Sequence, residues 1–176
     1  MKRQLVYYGH PVLREKSEPV QEINEEIREL IQEMIRIMNS VNGIGLAACQ
    51  VGVPLRLFIC TVYGLDNEGY PLYGAPKAYI NPVITVLDPT EWMDSEGCLS
   101  VPKIYEDIPR PMKIRLEAIN EKGENFTEER EGWMARPILH ENDHLNGVLF
   151  FDRALPHRKQ AIQVQLKKLK KKYSMT

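Results

Sequence analysis

The segment His140-Glu141-Asn142-Asp143-His144 is the most informative stretch of this 176-residue chain. Residues four apart lie on one face of an α-helix, so both imidazoles can reach a single metal ion with the glutamate beside them. This pattern is typical of hydrolytic metal sites in which the glutamate serves as general base. The segment therefore predicts a metal-bearing helix, and the ordinary alternative is a solvated polar helix face.

Two imidazoles need at least one further protein ligand. Known sites on such a helix take it from a downstream glutamate, or from a histidine six residues after the second one. Here that position is Phe150, no glutamate follows Glu141, and Asp152 and His157 stand at spacings that match no such pattern. The third ligand is therefore expected upstream.

Cys98, within Glu96-Gly-Cys-Leu-Ser100, is the upstream candidate. Its neighbours are polar or small, so its thiolate can approach a cation that lowers its pKa. A lone cysteine is more often a small buried apolar residue, which is the role expected for Cys60 in its apolar strand. Cys98 taken alone is weak support for a metal site.

The sequence before the predicted metal-bearing helix indicates one helix followed by several strands. Apolar residues at three-and-four spacing over residues 22–39 predict an amphipathic helix that Asn24 caps and Asn42-Gly43 stops. Apolar runs or alternation predict strands at residues 55–62, 79–87 and 113–119. Turn residues between these strands favour antiparallel pairing.

Two helices are expected after the strands. The metal-bearing helix is predicted over Trp133–Asn146, before Gly147, and a basic amphipathic helix at about residues 156–173. This order indicates an α+β fold, with antiparallel β-sheets around a central metal-bearing helix, an N-terminal amphipathic helix and a C-terminal helix. With 43% apolar residues, residues 1–176 are expected to form a single domain.

Composition also predicts where the protein works. The sequence has no recognisable signal peptide and no apolar run long enough to cross a bilayer. Its three cysteines cannot all pair, which favours a reducing compartment. We therefore expect a cytoplasmic protein without membrane contact. The net charge of −1 conceals an acidic body and a basic tail, because residues 145–176 contain eight Lys or Arg and one Asp.

Three motifs, in this order, resemble the signature motifs of the peptide deformylases. They are Gly43-Ile-Gly-Leu-Ala-Ala-Cys-Gln50, Glu96-Gly-Cys-Leu-Ser100 and His140-Glu-Asn-Asp-His144. Flanking segments Gly9-His-Pro-Val-Leu-Arg14 and Gly147-Val-Leu-Phe-Phe-Asp152 are similar to that family as well. The similarity covers most of residues 5–153, and three motifs in order are far more specific than any one.

The resemblance implies the metal ligands and the catalytic base. Cys98, His140 and His144 would hold one divalent ion and leave the fourth position of a tetrahedral site to water. Glu141 would take the proton of that water and deliver it to the departing amine. The resemblance further implies that the Gln50 side-chain amide and the Leu99 backbone N–H stabilise the negative charge that develops on the carbonyl oxygen.

The implied substrate is the N-formyl-methionine end of a nascent polypeptide, and the products are formate and a free amino terminus. Trp133 and Pro137 share the metal face of the helix, so they could line a methionine pocket together with Ile44. Trp133 could equally pack only in the core. Gly43 and Gly45 would allow the peptide backbone to come close. They also fit a relaxed dinucleotide-binding fingerprint, but that motif follows a strand, not a helix.

The ligands do not select one metal, because iron(II), zinc, nickel and cobalt all accept two imidazoles and a thiolate. The resemblance implies iron(II) in the cell, with zinc, nickel or cobalt possible in preparations. Oxidation of the ligand thiolate beside iron would make that form sensitive to air.

Two other functions stay open at this point. A zinc endopeptidase could use the same helix, although the downstream ligand that it needs is missing. Alternatively, the metal could be structural in a module that binds RNA or the ribosome through its basic C-terminal helix. The lysines in question are Lys167, Lys168, Lys170, Lys171 and Lys172, which could also be a solvated helix end.

Three positions depart from the pattern or from simple expectation. Cys49 stands beside Gln50 where relatives commonly have proline or another small residue. Tyr105 stands where an arginine is expected. Pro137 lies within the predicted metal-bearing helix, which should therefore start later than Trp133 or bend.

Overall fold

The computed structural model describes residues 3–173, and its strands form one antiparallel sheet with the order β1-β2-β3-β4-β5. The strands are β1 (Gly45–Ala47), β2 (Leu57–Leu65), β3 (Pro71–Cys98), β4 (Val101–Ile119) and β5 (Asn125–Glu131). The helices are α1 (Glu25–Ser40), α2 (Ala135–Leu145), α3 (Pro156–Ala161) and α4 (Gln163–Tyr173). The predicted α+β class is confirmed, with the strands joined in one connected sheet.

Helix α1 covers the sheet with its apolar stripe. The Asn24 side chain accepts a hydrogen bond from the Ile27 N–H at 3.1 Å, which caps the first turn of the helix as predicted. Glu25 and Glu26 follow it, where carboxylates favour the helix dipole. The stripe is buried through Ile27, Leu30, Ile31, Met34 and Met38.

Strands β3 and β4 form a long hairpin that ends at Leu99 and Ser100. Cys98 pairs with Val101 across this tight turn, so the candidate ligand lies at the tip of the hairpin. The predicted strands at residues 79–87 and 113–119 are parts of these strands, which extend well beyond the apolar segments. Strand β5 was not predicted, because its sequence Asn-Phe-Thr-Glu-Glu-Arg-Glu is mostly charged and it lies at the sheet edge.

Helix α2 runs through the interior, with nine of its eleven residues buried. It begins at Ala135, because Trp133 belongs to a preceding 3-10 turn over Gly132–Met134. Pro137 is therefore the third helical residue, where the backbone N–H has no partner in the helix and proline removes no bond. Gly147 follows the helix with φ +68, and a Cβ there would lie 2.5 Å from the Arg14 carbonyl oxygen.

The predicted C-terminal helix over residues 156–173 consists of two helices, α3 and α4. The interruption at Ile162 is slight, because its N–H donates to Arg158 O at 3.3 Å and its carbonyl accepts from Leu166 N at 2.9 Å. Ile162 and Leu166 are both buried, in a cluster that also contains Phe150 and Phe151. Packing of these two side chains holds the basic segment against the body of the protein.

Candidate metal centre

The structure brings the three predicted ligands together. Cys98, at the tip of the β3–β4 hairpin, meets His140 and His144 of α2, and one ligand atom from each residue lies within 4.8 Å of the others. The Cys98 Sγ and His144 Nε2 atoms are 3.3 Å apart, although 46 residues separate them in the chain. Bond lengths of about 2.3 Å to sulfur and about 2.1 Å to nitrogen put such atoms about 3.6 Å apart around a tetrahedral ion. The cluster therefore fits one small divalent cation.

Glu96 orients His140. The His140 Nδ1 atom lies 3.0 Å from Glu96 Oε2, which directs the other ring nitrogen towards Cys98 and His144. A carboxylate in this position typically fixes the tautomer of a metal-binding histidine and raises its basicity. Burial alone would raise the pKa of the Glu96 carboxyl group, but Arg110 and His140 hold this pKa well below its usual range. Glu96 is thus a permanent acceptor behind the site.

Two arginines hold Glu96 in turn. Arg110 donates to both carboxylate oxygens at 2.8 Å, and Arg136 donates to Oε1 at 2.8 Å. Arg110 also reaches Asp143 Oδ2 at 2.6 Å, and Asp143 accepts two further hydrogen bonds at 2.6 Å from Arg153. The side chains of Arg110, Glu96 and Asp143 are at most 5% exposed. This ion-pair network ties the hairpin to α2 from both sides of the ligand set.

Burial and neighbouring groups shift the pKa values of the two histidines in opposite directions. Burial and the nearby His140 lower the pKa of His144 well below 6.5, which leaves it neutral as a ligand must be. Burial would also lower the pKa of His140, but Cys98 and Glu96 raise it well above 6.5. A metal ion binds only the neutral imidazole, so its binding would displace the added proton from His140.

Glu141 lies next to the ligands and is buried. Its Oε2 atom has no hydrogen-bond partner within residues 3–173, and burial raises its pKa to about 7. A carboxylate with a pKa near the working pH is well suited to accept a proton and return it. The side chain packs against Gly45, where a Cβ would lie 2.5 Å from Glu141 Oε1. Only glycine at this position leaves room for the carboxylate.

Gln50 is held rigidly at the same site. Its Oε1 accepts from the Ala47 N–H at 2.8 Å, which points the amide nitrogen towards the Cys98 turn. That nitrogen lies 3.1 Å from Ser100 Oγ and 3.5 Å from Cys98 Sγ. The Gln50 amide is therefore a fixed donor beside the ligand set, and Leu99 follows Cys98 at the edge of the same cavity.

A cavity of about 560 Å³ opens onto the ligand cluster. All the predicted substrate-binding residues line it, namely Gly43, Ile44, Gly45, Trp133 and Pro137. Trp133 also packs against a core cluster that contains Ile138 and Leu139, so it lines the cavity and contacts the core at the same time. The size is that of a small-molecule or peptide-end site.

Several residues around the site were not singled out from the sequence. They are Arg136, Asp143, Arg153, Ser100 and Tyr7. Arg136 had a local signal, because it precedes His140 by four residues and shares its helix face. Ser100 was quoted only as the end of its motif and Tyr7 had no signal, because their importance depends on contacts with distant parts of the chain.

The structure shows what surrounds Cys49 and Tyr105, two of the positions that depart from the family pattern. Cys49 is fully buried, its Sγ lies 3.6 Å from the His144 carbonyl oxygen, and burial raises the pKa of its thiol to about 12. It is therefore a poor nucleophile. Tyr105 is 68% exposed and lies over Gly97, where a Cβ would come within 2.5 Å of its ring.

Comparison with known proteins gives a consistent assignment. A family model described as polypeptide deformylase matches residues 2–161. The peptide deformylase of Maricaulis maris is 39% identical over 171 residues, 96% of this chain and 94% of that protein. No helix within residues 3–173 is long and apolar enough to span a membrane.

Solved structures agree in fold over nearly the whole chain. A plant peptide deformylase superposes with a TM-score of 0.88 at 34% identity, covering 98% of this chain and 91% of the other. A peptide deformylase from Synechococcus elongatus in complex with actinonin superposes with a TM-score of 0.79 at 35% identity. The superposition covers 97% of this chain and 85% of the other. The sequence motifs, the ligand geometry and these similarities agree, and the chain belongs to the polypeptide deformylase family, enzymes that remove the formyl group from the amino end of polypeptides.

Proposed function

We propose that Cys98, His140 and His144 hold one divalent metal ion at which this enzyme hydrolyses the N-formyl group of formyl-methionyl nascent polypeptides. The observation that carries the proposal is the convergence of these three side chains, with the unpaired oxygen of Glu141 beside them. Residues 1–176 act in this proposal as a single catalytic domain.

The ion, when bound, would lower the pKa of a water molecule and polarise the formyl carbonyl. Glu141 accepts a proton from the attacking water molecule as the water oxygen bonds to the formyl carbon. It then delivers the proton to the amine nitrogen as the C–N bond breaks, which yields formate and a free amino terminus. The raised pKa of Glu141 suits both steps, because the carboxyl group can exist in either state near neutral pH.

Gln50 and Leu99 stabilise the charge that develops on the carbonyl oxygen. The amide of Gln50 needs no reorganisation for this role, because Ala47 and Ser100 already fix its orientation. The Leu99 backbone N–H is the second donor, at the turn that carries Cys98. Removing one such donor typically reduces the rate by about 10²-fold to 10³-fold.

The methionine side chain lies in the apolar part of the cavity, between Ile44, Trp133 and Pro137. Gly43 and Gly45 leave the backbone beside it open to the substrate, and a Cβ on Gly43 would lie 2.8 Å from Leu99 Cδ1. Replacing Trp133 by leucine should weaken the preference for formyl-methionine over formyl-alanine peptides. An unchanged preference would limit Trp133 to core packing.

Iron(II) is the proposed metal in the cell, and zinc, nickel or cobalt can replace it in preparations. Iron(II) beside the Cys98 thiolate makes the site sensitive to oxygen. The iron form should lose activity in air faster than nickel or zinc forms of the same preparation. Equal inactivation rates in all three forms would argue against thiolate oxidation at iron.

We further propose that the enzyme works in the cytoplasm and contacts the ribosome through its C-terminal helix. Lys167, Lys168, Lys170, Lys171 and Lys172 are all exposed. Such a cluster can contact the phosphates of ribosomal RNA, and binding should weaken steeply with salt.

Formate release from formyl-Met-Ala-Ser, with metal content measured on the same anaerobic preparation, tests the main proposal. We expect one metal ion per chain and formate production that stops when the metal is chelated and returns when it is restored. Cleavage of unmodified peptides would instead support a zinc endopeptidase. Metal binding without either activity would support a structural metal.

A further inference from the structure

Residues 6–8 connect two turns of the active site. The Val6 N–H donates to the Gln50 carbonyl at 2.8 Å, and the Tyr8 N–H donates to the Ser100 carbonyl at 2.8 Å. One turn carries the Gln50 amide, and the other follows Cys98. This short segment therefore links two parts of the active site that are far apart in the sequence.

Tyr7 lies between these two hydrogen bonds, and it lines the cavity. Its ring stacks on that of Tyr173, with centroids 4.2 Å apart and an angle of 17° between the ring planes. Tyr173 is the last residue of α4, and it lies beyond residues 2–161, the part of the chain that the family model matches. The last residue of α4 thus contacts a residue of the cavity wall.

Helix α4 is well placed to hold this contact. Leu166 is 2% exposed, and the cluster in which it is buried also contacts Tyr8 and Cys98. Tyr8 meets Phe151 edge to face at 5.4 Å, which anchors the same segment from its other side. The position of Tyr173 is therefore tied to the hairpin turn that carries the metal ligand.

We propose that Tyr173 is a substrate-positioning residue that acts through Tyr7. By stacking on Tyr7, it holds the cavity wall beside the Leu99–Ser100 turn in the shape that receives the peptide portion of the substrate. Trp133 and Pro137 belong to a different wall, supplied by α2 and the 3-10 turn that precedes it, where the methionine side chain binds. Tyr7 consequently meets the residues that follow methionine. This inference rests on the proposed deformylase activity.

The test compares Tyr173→Ala with the wild-type enzyme on formyl-Met-Ala-Ser and on the shorter formyl-Met-Ala. Loss of one aromatic stack should raise KM for the longer peptide by about 2-fold to 10-fold. The kcat value should stay within about twofold, because the ligands, Glu141 and Gln50 are untouched. The increase in KM should be smaller for the shorter peptide.

Three further variants separate positioning from stability. Tyr173→Phe keeps the stack and should restore wild-type KM, whereas Tyr173→Leu fills the space without an aromatic face and should behave like Tyr173→Ala. If Tyr173→Ala does not fold, Tyr173→Leu replaces it in every comparison. Tyr70→Ala removes an exposed tyrosine at the β2–β3 turn and should change nothing. Thermal midpoints and metal content are measured for each variant.

A double-variant cycle tests the path through Tyr7. Tyr7→Ala with Tyr173→Ala should raise KM no more than the worse single variant, because both remove one contact. Additive effects, a wild-type KM in both Tyr173→Ala and Tyr173→Leu, or a Tyr173→Phe enzyme as impaired as Tyr173→Leu would overturn the inference. If the wild type itself releases no formate, the proposed function fails first. An active wild type with unchanged variants refutes only the positioning role.

Discussion

Helices α2 and α4 both carry many charged or ionisable side chains, but those of α2 are mostly buried and those of α4 are mostly exposed. In α2, the side chains of Arg136, Glu141, Asp143 and His144 are buried, and Arg136 and Asp143 form buried ion pairs. In α4, only Leu166 of residues 163–173 is buried, and the lysines are exposed. A buried charge depends on a few particular contacts, whereas an exposed one is solvated wherever it points. Single substitutions should therefore have large effects around α2 and small effects along α4.

The largest expected effect is on catalysis at Glu141. In the Glu141→Gln variant, kcat should fall by about 10²-fold to 10⁴-fold, because the amide cannot accept the proton. Metal content should stay at the wild-type level, since all three ligands remain. The measurement is formate release together with metal analysis of the same sample. A variant that lost its metal would show that Glu141 is needed for the site to form.

The next effect is on stability, through the ion-pair network. Arg110→Leu should lower the free energy of unfolding by about 3–5 kcal/mol, because Glu96 and Asp143 each lose a buried partner. Arg115→Leu is the matched control, since Arg115 pairs with Glu129 on the surface and is 46% exposed. The control should lose about 1 kcal/mol or less. Urea denaturation of both variants measures the difference, and equal losses would contradict the contrast between buried and exposed charge.

A smaller effect on kcat is expected at Gly45, whose backbone packs directly against the Glu141 side chain. Gly45→Ala should reduce kcat by about 10²-fold, because the added methyl group displaces the Glu141 carboxylate from its position. Gly64→Ala serves as control, since its Cβ would meet only Leu72 Cδ1 at an ordinary 3.6 Å. Steady-state kinetics separates the two. Normal kcat in Gly45→Ala would mean that Glu141 can work from another rotamer.

The smallest effect should come from α4. Replacing Lys167, Lys168 and Lys171 by glutamine should leave formate release from free peptide within about twofold. Each substitution should change the free energy of unfolding by at most about 0.5 kcal/mol, as for exposed positions in general. Affinity for ribosomes should fall, and its dependence on salt should become weaker. Unchanged ribosome affinity at every salt concentration would remove the lysines from the proposed contact.

The sequence predicted best what depends on nearest neighbours along the chain. The i, i+4 spacing of His140 and His144 is local, and so are the Asn24 cap and the amphipathic stripe of α1. The cysteine ligand was different, because the contact between Cys98 and His144 joins residues 46 apart. Spacing alone gave only a weak case for Cys98, and the resemblance to a known family supplied the rest.

The parts missed were those that tertiary contacts impose on an ambiguous sequence. Strand β5 is mostly charged, and only its pairing with β4 along Lys113–Ile119 makes it a strand. Likewise, the roles of Arg136 and Asp143 depend on partners in the β3–β4 hairpin. An arginine on a helix face usually points to solvent. Burial of this one could be recognised only after the hairpin was placed.

The wide separation of Cys98 from His140 and His144 also has a consequence for how the enzyme matures. While the chain is being synthesised, the hairpin can pair before α2 exists, but no complete ligand set is present until residue 144 has left the ribosome. Binding of a metal ion by the complete proposed ligand set can therefore occur only after α2 has been made. Because α4 packs beside the Cys98 turn, that turn gains its full packing only after residues 163–173 have also been made.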